Sequence, residues 1–328
     1  MAREPTLLSI AAPMHDEEGI AAEFHARVVA AAGDVPFELV IVDDGSRDGT
    51  PQILAQLAAA DERVKVVTLS RNFGHQAALT AALEHASGDV VVMLDGDLQD
   101  PPEVIPDMLD RWREGADVVY AVRSERQGET AFKRTTASWF YRLFRSLADI
   151  DLTPESGDFR LMDRRPLDAL LAMRERNRFL RGMSVWVGYT QTAVTFQREA
   201  RTSGRTKYTL RRMLRFSFDA ITSFSYRPLQ FATLLGFVFS ALAFLLIPLT
   251  IVARYTNIYE RGVPTTIVIV SLLGGIQLIC VGIIGEYVGR IYDEVKGRPL
   301  YFVRGRRNLV DEGDALDEVE RERLSSRT

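Results

Sequence analysis

The stretch Val90 to Glu103, VVVMLDGDLQDPPE, breaks off an apolar run at two aspartates separated by one glycine. Val90 through Leu94 is the short continuous apolar segment of a parallel strand buried on both faces, and Asp95, Asp97, Gln99 and Asp100 gather at its carboxyl end. Open α/β sheets bind ligands at that end. Asp95 and Asp97 offer closely spaced hard oxygen ligands suited to Mg²⁺ or Mn²⁺, which complete their shells with water and substrate phosphate. Gly96 lets the backbone turn between them. Taken alone, the same residues describe a solvated acidic turn closed by Asp100-Pro101-Pro102, so the flanking segments decide.

On the amino-terminal side, strand-like and helix-like patterns alternate, which predicts a mostly parallel sheet covered by helices, an α/β fold. Strands are expected at Leu7 to Ala12, Phe37 to Val42, Val64 to Leu69, Val90 to Leu94 and Asp117 to Val122. Helices fall between them at Glu17 to Ala32, Thr50 to Ala60, Gly74 to Ala86 and Glu103 to Glu114. Polar residues cluster at the strand ends: Pro13, His15, Asp16 and Glu17 after the first, Asp43 and Asp44 after the second, Arg71 and Asn72 after the third. Several loops therefore converge on one cleft. The run VDDGSRDGT, Val42 to Thr50, reads as a turn and helix start capped by Asp48 or Thr50. The paired acids exceed what a turn needs, and a carboxylate there can accept a hydrogen bond from the ring N–H of a nucleobase. Arg71 sits where it can meet a phosphate, whereas His75 reads equally as functional or as an ordinary surface residue.

The 328 residues, 47% hydrophobic and 26% charged, are enough for one large domain and something more. A net charge of −4 gives no general basis for binding nucleic acid. The lone Cys280 excludes an intrachain disulfide and a zinc-cysteine cluster. The apolar run near the amino terminus is too short for the core of a signal peptide.

The series PMHDEEG, VDDGSRDGT, SRNFGHQAALTAAL, DGDLQDPPE, GDFRLMDRR and RTSGRTKYT resembles the family 2 glycosyltransferases that load a sugar onto a polyprenyl phosphate, the dolichol-phosphate mannose synthase and bactoprenol glucosyltransferase group. The resemblance runs from about Leu7 to Arg304. It implies a GT-A fold, a UDP- or GDP-sugar donor, an inverting transfer and a divalent metal at Asp95 and Asp97 with Gln99 nearby. Donor contacts would come from Pro13, His15, Glu17, Asp44, Arg71 and Asp95. The chain departs from the family pattern at His15 and Asp16, where a Tyr-Asn pair is commoner, and at Gly96, where alanine is commoner; the second change is expected to matter little. Ser156 to Arg164 reads as a short strand with an acid at its start, and the resemblance assigns Asp158 the catalytic position. Whether Asp158 acts as a base or as a positioning group stays open, because a phosphate monoester is already anionic near neutral pH. Arg123, Arg126, Lys133 and Arg134 flank a helical pattern at Ala137 to Phe144. Arg201, Arg205 and Lys207 form a polar loop; with Arg123 and Arg126, these cations are the candidate acceptor or phosphate contacts.

No charged residue occurs from Pro228 to Ala253 or from Gly262 to Gly285, and each stretch exceeds the roughly 20 residues that span a bilayer. They predict a two-helix transmembrane hairpin. Arg211, Arg212, Arg215 and Arg227 precede it and Arg290, Lys296 and Arg298 follow it, against Arg254 and Arg261 in the connection, which places both termini and the catalytic domain in the cytoplasm. Tyr208 to Tyr226 mixes apolar residues with arginines as an interfacial helix does. The expected layout is a catalytic domain over 1–207, an interfacial helix over 208–227, two spans over 228–290 and a cytoplasmic carboxyl-terminal part over 291–328 ending in a mobile tail. There Gly297 to Gly305 has strand character, and the resemblance implies that it packs on a neighbouring catalytic domain in a homo-oligomer.

Glucose from UDP-glucose is the expected donor, with mannosyl or N-acetylhexosaminyl transfer to the same lipid as alternatives. The rivals are a processive polysaccharide synthase, which wants more spans and a Gln-x-x-Arg-Trp motif, a soluble nucleotidyltransferase, which the spans oppose, and a non-catalytic membrane scaffold.

Overall fold

The apolar runs that carry the sequence argument become the centre of an eight-stranded sheet. The computed structural model describes residues 3–123, 156–196, 227–255 and 262–309. Expectations that fall on Arg126, on 137–144, on Arg201, Arg205 and Lys207, on 208–226 and on the tail from 310 lie outside the described residues.

Strands β1 (Leu8–Met14) and β2 (Phe37–Asp43) are buried at every position, and β3 (Val64–Leu69) and β4 (Val90–Met93) flank them. β1 runs parallel to both β2 and β4, and β2 runs parallel to β3. Three helices make the crossovers: α1 (Ala21–Ala32), α2 (Thr50–Ala60) and α3 (His75–Glu84). The face that α1 buries is written in its spacing, Ala21, Phe24, Val28 and Ala32. After β4, a single 3₁₀ turn at Pro102–Val104 leads into α4 (Ile105–Arg113), where Pro106 near the start costs no helical hydrogen bond. The expected boundaries hold for β3 and α2 and move by one to four residues elsewhere.

The second half of the sheet is mixed. β5 (Val118–Arg123), β6 (Ser156–Asp163) and β7 (Gln191–Phe196) extend the order to β7-β5-β6-β4-β1-β2-β3, with β6 antiparallel to both β4 and β5. Helices α5 (Arg164–Ala172) and α6 (Leu180–Trp186) lie between β6 and β7, and the Asp163 side chain caps α5 by accepting from Arg165 N. Because β6 is reversed, its first residues lie at the carboxyl end of β4. Met93 pairs with Arg160, and the same register carried two residues further sets Asp158 opposite Asp95. β5 ends, β6 begins and β7 ends at this one edge, since Val122 pairs with Ser156 and Arg123 with Phe196.

A buried carboxylate ties the opposite edge together. Glu38 on β2 accepts from Ser9 Oγ at 2.5 Å, from Ser87 N at 2.6 Å and from Ser87 Oγ at 2.8 Å, and it pairs closely with Lys65 Nζ. Burial alone would raise its pKa, but these donors hold it below the ordinary value.

The two long apolar helices, α7 (Arg227–Tyr255) and α8 (Val263–Val295), belong to a unit distinct from the sheet. Leu229–Leu246 and Leu272–Val295, with mean hydropathies of 2.1 and 1.7, are long and apolar enough to cross a membrane. Phe237, Phe244 and Leu278 on them are more than 70% exposed, which a soluble core helix would not show. α8 runs past the expected end of the second apolar stretch, with Arg290 paired to Glu286 one turn back at 3.1 Å.

The carboxyl-terminal strand β8 (Val303–Arg307) departs from expectation. It pairs antiparallel with β3 of its own chain and adds an eighth strand to the sheet, starting six residues later than the strand pattern expected from Gly297. Asn308, with a positive φ of 55°, ends it and donates to Ala58 O at 2.6 Å and Val64 O at 2.9 Å.

Candidate active site

Everything at the carboxyl edge is held by loop-to-loop hydrogen bonds. The loop after β1 and the loop after β2 interlock: Asp16 N donates to Ser46 Oγ, Glu17 N to Thr50 Oγ1, Arg47 N to Asp16 Oδ1 and Gly49 N to Glu18 Oε2, at 2.7 to 3.0 Å. Asp48 Oδ1 accepts from Thr50 N at 3.0 Å, one residue ahead of the cap position, which is Gly49 and not Asp48 or Thr50 as expected. Gly45 sits at φ 65° with the backbone of Arg71 and Asn72 so near that a Cβ would lie 2.5 Å from it, so the second and third loops touch where only glycine fits.

Asp44 is more occupied than expected. Its two oxygens accept from Phe73 N at 2.7 Å and Gly74 N at 2.9 Å, fixing the loop that leads into α3. Burial raises its pKa against these bonds. Asp43, the other of the paired acids, keeps a buried Oδ2 without a hydrogen-bond partner while its Oδ1 accepts from Ser46 N.

The Asp95 to Gln99 turn is shaped by one unusual backbone position and one close approach. Leu98 adopts a left-handed φ of 54°, which costs about 1 kcal/mol for a side chain of this kind. Gln99 curls back so that its backbone N–H donates to Asp97 Oδ1 at 3.1 Å and its side-chain amide lies close against Asp97 Oδ2. Gln99 is thus held beside Asp97 at the expected metal position. A Cβ at Gly96 would meet Met14 Cγ at 2.7 Å and Pro13 O at 2.8 Å. The expectation that glycine for alanine matters little is overturned: this turn packs on β1 too closely for alanine.

The centre is a trio. His75 Nε2, at the start of α3, lies 3.4 Å from Asp95 Oδ1 and 3.5 Å from Asp158 Oδ2. Asp158 also accepts from Gln76 Nε2 at 3.0 Å and Arg181 Nε at 3.4 Å, and Gln76 Oε1 in turn accepts from Leu180 N at 2.9 Å. Arg160, fully buried on β6, donates to Gly157 O at 3.0 Å and lies against Ser184. Burial would raise the Asp158 pKa, but the His75 ring, Arg181 and Arg160 outweigh it and hold the carboxyl well below the usual range. Partial burial would lower the His75 pKa; Asp158, Asp95 and Asp97 instead push it up to about 9. Burial, with Asp158, Asp97 and Asp100 nearby, pushes Asp95 up to about 7 against the pull of His75. Glu17 rises to about 6 through burial and the charges of Asp97, Asp48 and Asp16. His75, evenly balanced in the sequence between a functional and a surface residue, stands in this trio, whereas Gln76 and Arg181 were not singled out.

Acids repelling one another around Asp95 Oδ1, which is buried, makes no hydrogen bond and has only the His75 ring as ionic neighbour, fit a divalent cation. Among the described residues no three His, Cys, Asp or Glu side chains form a metal-binding group. Of the other expected contacts, Pro13 lies on β1 beside Val42, and His15 pairs with Asp16 at 3.4 Å on the surface. Exposed Arg71 stacks its guanidinium 4.0 Å over the Phe73 ring. Arg123 ends β5 at the same edge.

A mixed GT-A-like sheet with paired carboxylates at its strand ends is the framework of a sugar-transfer enzyme. The model of glycosyl transferase family 2 matches residues 9–171, and the chain belongs to that family and is a glycosyltransferase. It is 46% identical over 299 residues to the uncharacterized glycosyltransferase YkcC of Bacillus subtilis (strain 168), covering 90% of this chain and 93% of that one. It is 39% identical over 302 residues to the SfII prophage-derived bactoprenol glucosyl transferase of Shigella flexneri, covering 90% and 97%. The crystal structure of glucosyl-3-phosphoglycerate synthase from Mycobacterium tuberculosis with Mn²⁺, UDP and phosphoglyceric acid overlays with a TM-score of 0.44 at 20% identity, covering 66% and 76%, too distant a likeness to bear on the site.

Proposed function

We propose that the protein is a membrane-bound inverting glycosyltransferase that moves glucose from UDP-glucose onto polyprenyl phosphate, undecaprenyl phosphate in particular, releasing the nucleoside diphosphate. The observation that carries this reading is the meeting of Asp95, His75 and Asp158 at the edge where β5, β6 and β7 also open, in a chain with two helices fit to span a bilayer. Similarity to proteins named as bactoprenol glucosyl transferases supports the acceptor and the sugar.

Asp95 and Asp97 would hold Mg²⁺ or Mn²⁺, whose charge would neutralise the donor diphosphate as it leaves. An oxygen of the lipid phosphate forms a bond to the anomeric carbon while that carbon's bond to the diphosphate oxygen breaks. The attacking phosphate is already anionic, so no proton needs to be removed. Asp158, with both oxygens engaged by Gln76, Arg181 and His75, serves as a fixed negative charge beside the sugar carbon, where positive charge develops in transfer of this kind. Asp43, Asp44, Glu17, His15, Pro13 and Arg71 line the donor side. Arg123, Arg126, Arg201, Arg205 and Lys207 are assigned to the acceptor phosphate. The arginine and lysine excess outside the hairpin supports a cytoplasmic catalytic domain and cytoplasmic termini.

Purified protein incubated with radiolabelled UDP-glucose and undecaprenyl phosphate should move label into the lipid extract. Label transferred only from a GDP-mannose or UDP-N-acetylglucosamine donor would replace the sugar; no lipid label from any donor would remove the acceptor.

A further inference from the structure

The carboxyl-terminal strand touches the one loop that serves both sides of the site. Ser70 N donates to Phe302 O at 2.9 Å, and the Phe302 ring lies 6.2 Å from that of Phe73, tilted at 52°. Phe73 supports the Arg71 guanidinium on its ring and donates its N–H to Asp44. Gly74 follows with φ 98°, then His75 and Gln76, which reach Asp95 and Asp158. Tyr301 is bonded to Glu84 at the far end of α3, so both ends of that helix are held from the same short segment. Phe302 nevertheless remains 55% exposed and contributes little to the core. An aromatic residue that is poorly buried but placed against a site loop has more to gain from orienting that loop than from burying area.

We propose that Phe302 is a positioning residue: delivered by the segment that joins α8 to β8, it acts through Phe73 to hold residues 70–76 in the arrangement that presents Arg71 to the donor and His75 and Gln76 to Asp95 and Asp158. Seven residues, Lys296 to Phe302, separate the end of α8 from β8, so the segment that orders the loop is covalently continuous with the apolar hairpin. The kinetic part of this inference rests on the UDP-glucose reading; the structural part does not.

The test uses the full-length protein in detergent or nanodiscs with Phe302→Ala, Phe302→Tyr, Phe73→Ala and the double variant. Hydrogen exchange followed by mass spectrometry should show faster exchange of peptides covering Phe73 and Gly74 in Phe302→Ala, with peptides from β1 and β4 unchanged. With UDP-glucose and undecaprenyl phosphate, Phe302→Ala should lose roughly 2- to 10-fold in kcat/KM for the donor, the range of an aromatic pair, and Phe302→Tyr should restore it. The loss in the Phe302→Ala/Phe73→Ala double variant should equal that of Phe73→Ala alone. Unchanged exchange at 73–74, exchange raised throughout the sheet, or independent and multiplying losses in the double variant would each overturn the proposal. Wild-type protein inactive with UDP-glucose would instead count against the functional reading, leaving the exchange result to decide this one.

Discussion

Replacing Gly96 by alanine adds one carbon atom at the tightest point of the site. That carbon would lie 2.7 Å from Met14 Cγ, 3.1 Å from Met14 Cε and 2.8 Å from Pro13 O, where carbon contacts settle near 3.5–4.0 Å. Met14 is a flexible side chain and can swing away. The Pro13 carbonyl is backbone, on a strand residue paired with Val42 of β2, and has less freedom to yield. The turn must therefore retreat by about 0.5–1 Å, taking Asp95 and Asp97 with it, at an overpacking cost of about 1–3 kcal/mol. A displacement of that size at catalytic groups costs up to about 10²-fold in rate. Gly96→Ala should fold, lose several degrees of thermal stability and show kcat lowered by about 10- to 100-fold when release of nucleoside diphosphate is followed. Met14→Ala in the same background should restore only part of the loss, because the carbonyl contact remains. Turnover by Gly96→Ala within twofold of wild type would refute the claim that this packing sets the carboxylate positions.

Asp97→Ala should leave the fold intact and reduce transfer by at least about 10²-fold, and EDTA should stop wild-type turnover until Mg²⁺ or Mn²⁺ is added; full activity in chelator would remove the metal from the site. His75 gains its proton affinity on folding, so its contribution to stability is complete below its unfolded value near 6.5 and fades as pH rises through about 9. Melting of metal-free wild type and His75→Gln should accordingly differ most near pH 6 and converge above pH 9, and a gap that widens with pH would contradict the pairing with Asp95 and Asp158. Lys65→Met strands the buried Glu38 carboxylate and should destabilise the sheet by about 3 kcal/mol, with much of the loss recovered when Glu38→Gln is added, as chemical denaturation would report. A cysteine at Asn257 in a Cys280→Ser background should react with an impermeant thiol reagent in intact cells while one at Ser326 should not; the opposite pattern would invert the topology.

The parallel half of the sheet was legible because Val90–Leu94 and its counterparts are continuous apolar runs bounded by turn residues, and the apolar hairpin because length and absence of charge suffice to mark it. Asp95 and Asp97 could be placed at a strand end for the same reason. The reversal of β6 was not readable: a strand's direction depends on its partner, and the residues between Arg123 and Ser156 give no local sign of it. That reversal is what sets Asp158 opposite Asp95. His75 could be read only evenly between function and surface, and Gln76 was not singled out, because their partner Asp158 lies some eighty positions later in the chain. Gly96 looked interchangeable with alanine because sequence does not record how near the Pro13 carbonyl approaches. The own-chain pairing of β8 was hidden similarly, since VRGRR carries no pattern that selects β3 over an edge strand elsewhere.

The common edge at which β5 ends, β6 begins and β7 ends makes the protein modular. Residues 124–155 leave and return at neighbouring positions on that edge, and the segment after Phe196 departs beside them. Lengthening or exchanging a segment whose two ends are already adjacent alters loop entropy only slowly, by about 0.6 kcal/mol per doubling, and leaves the β4 to β6 register untouched. Grafts from a homologue with a different acceptor, inserted between Arg123 and Ser156, should therefore inherit the sheet, the carboxylates and the donor side unchanged. Under the proposed acceptor assignment, acceptor choice would diversify in this architecture while the chemistry stays fixed.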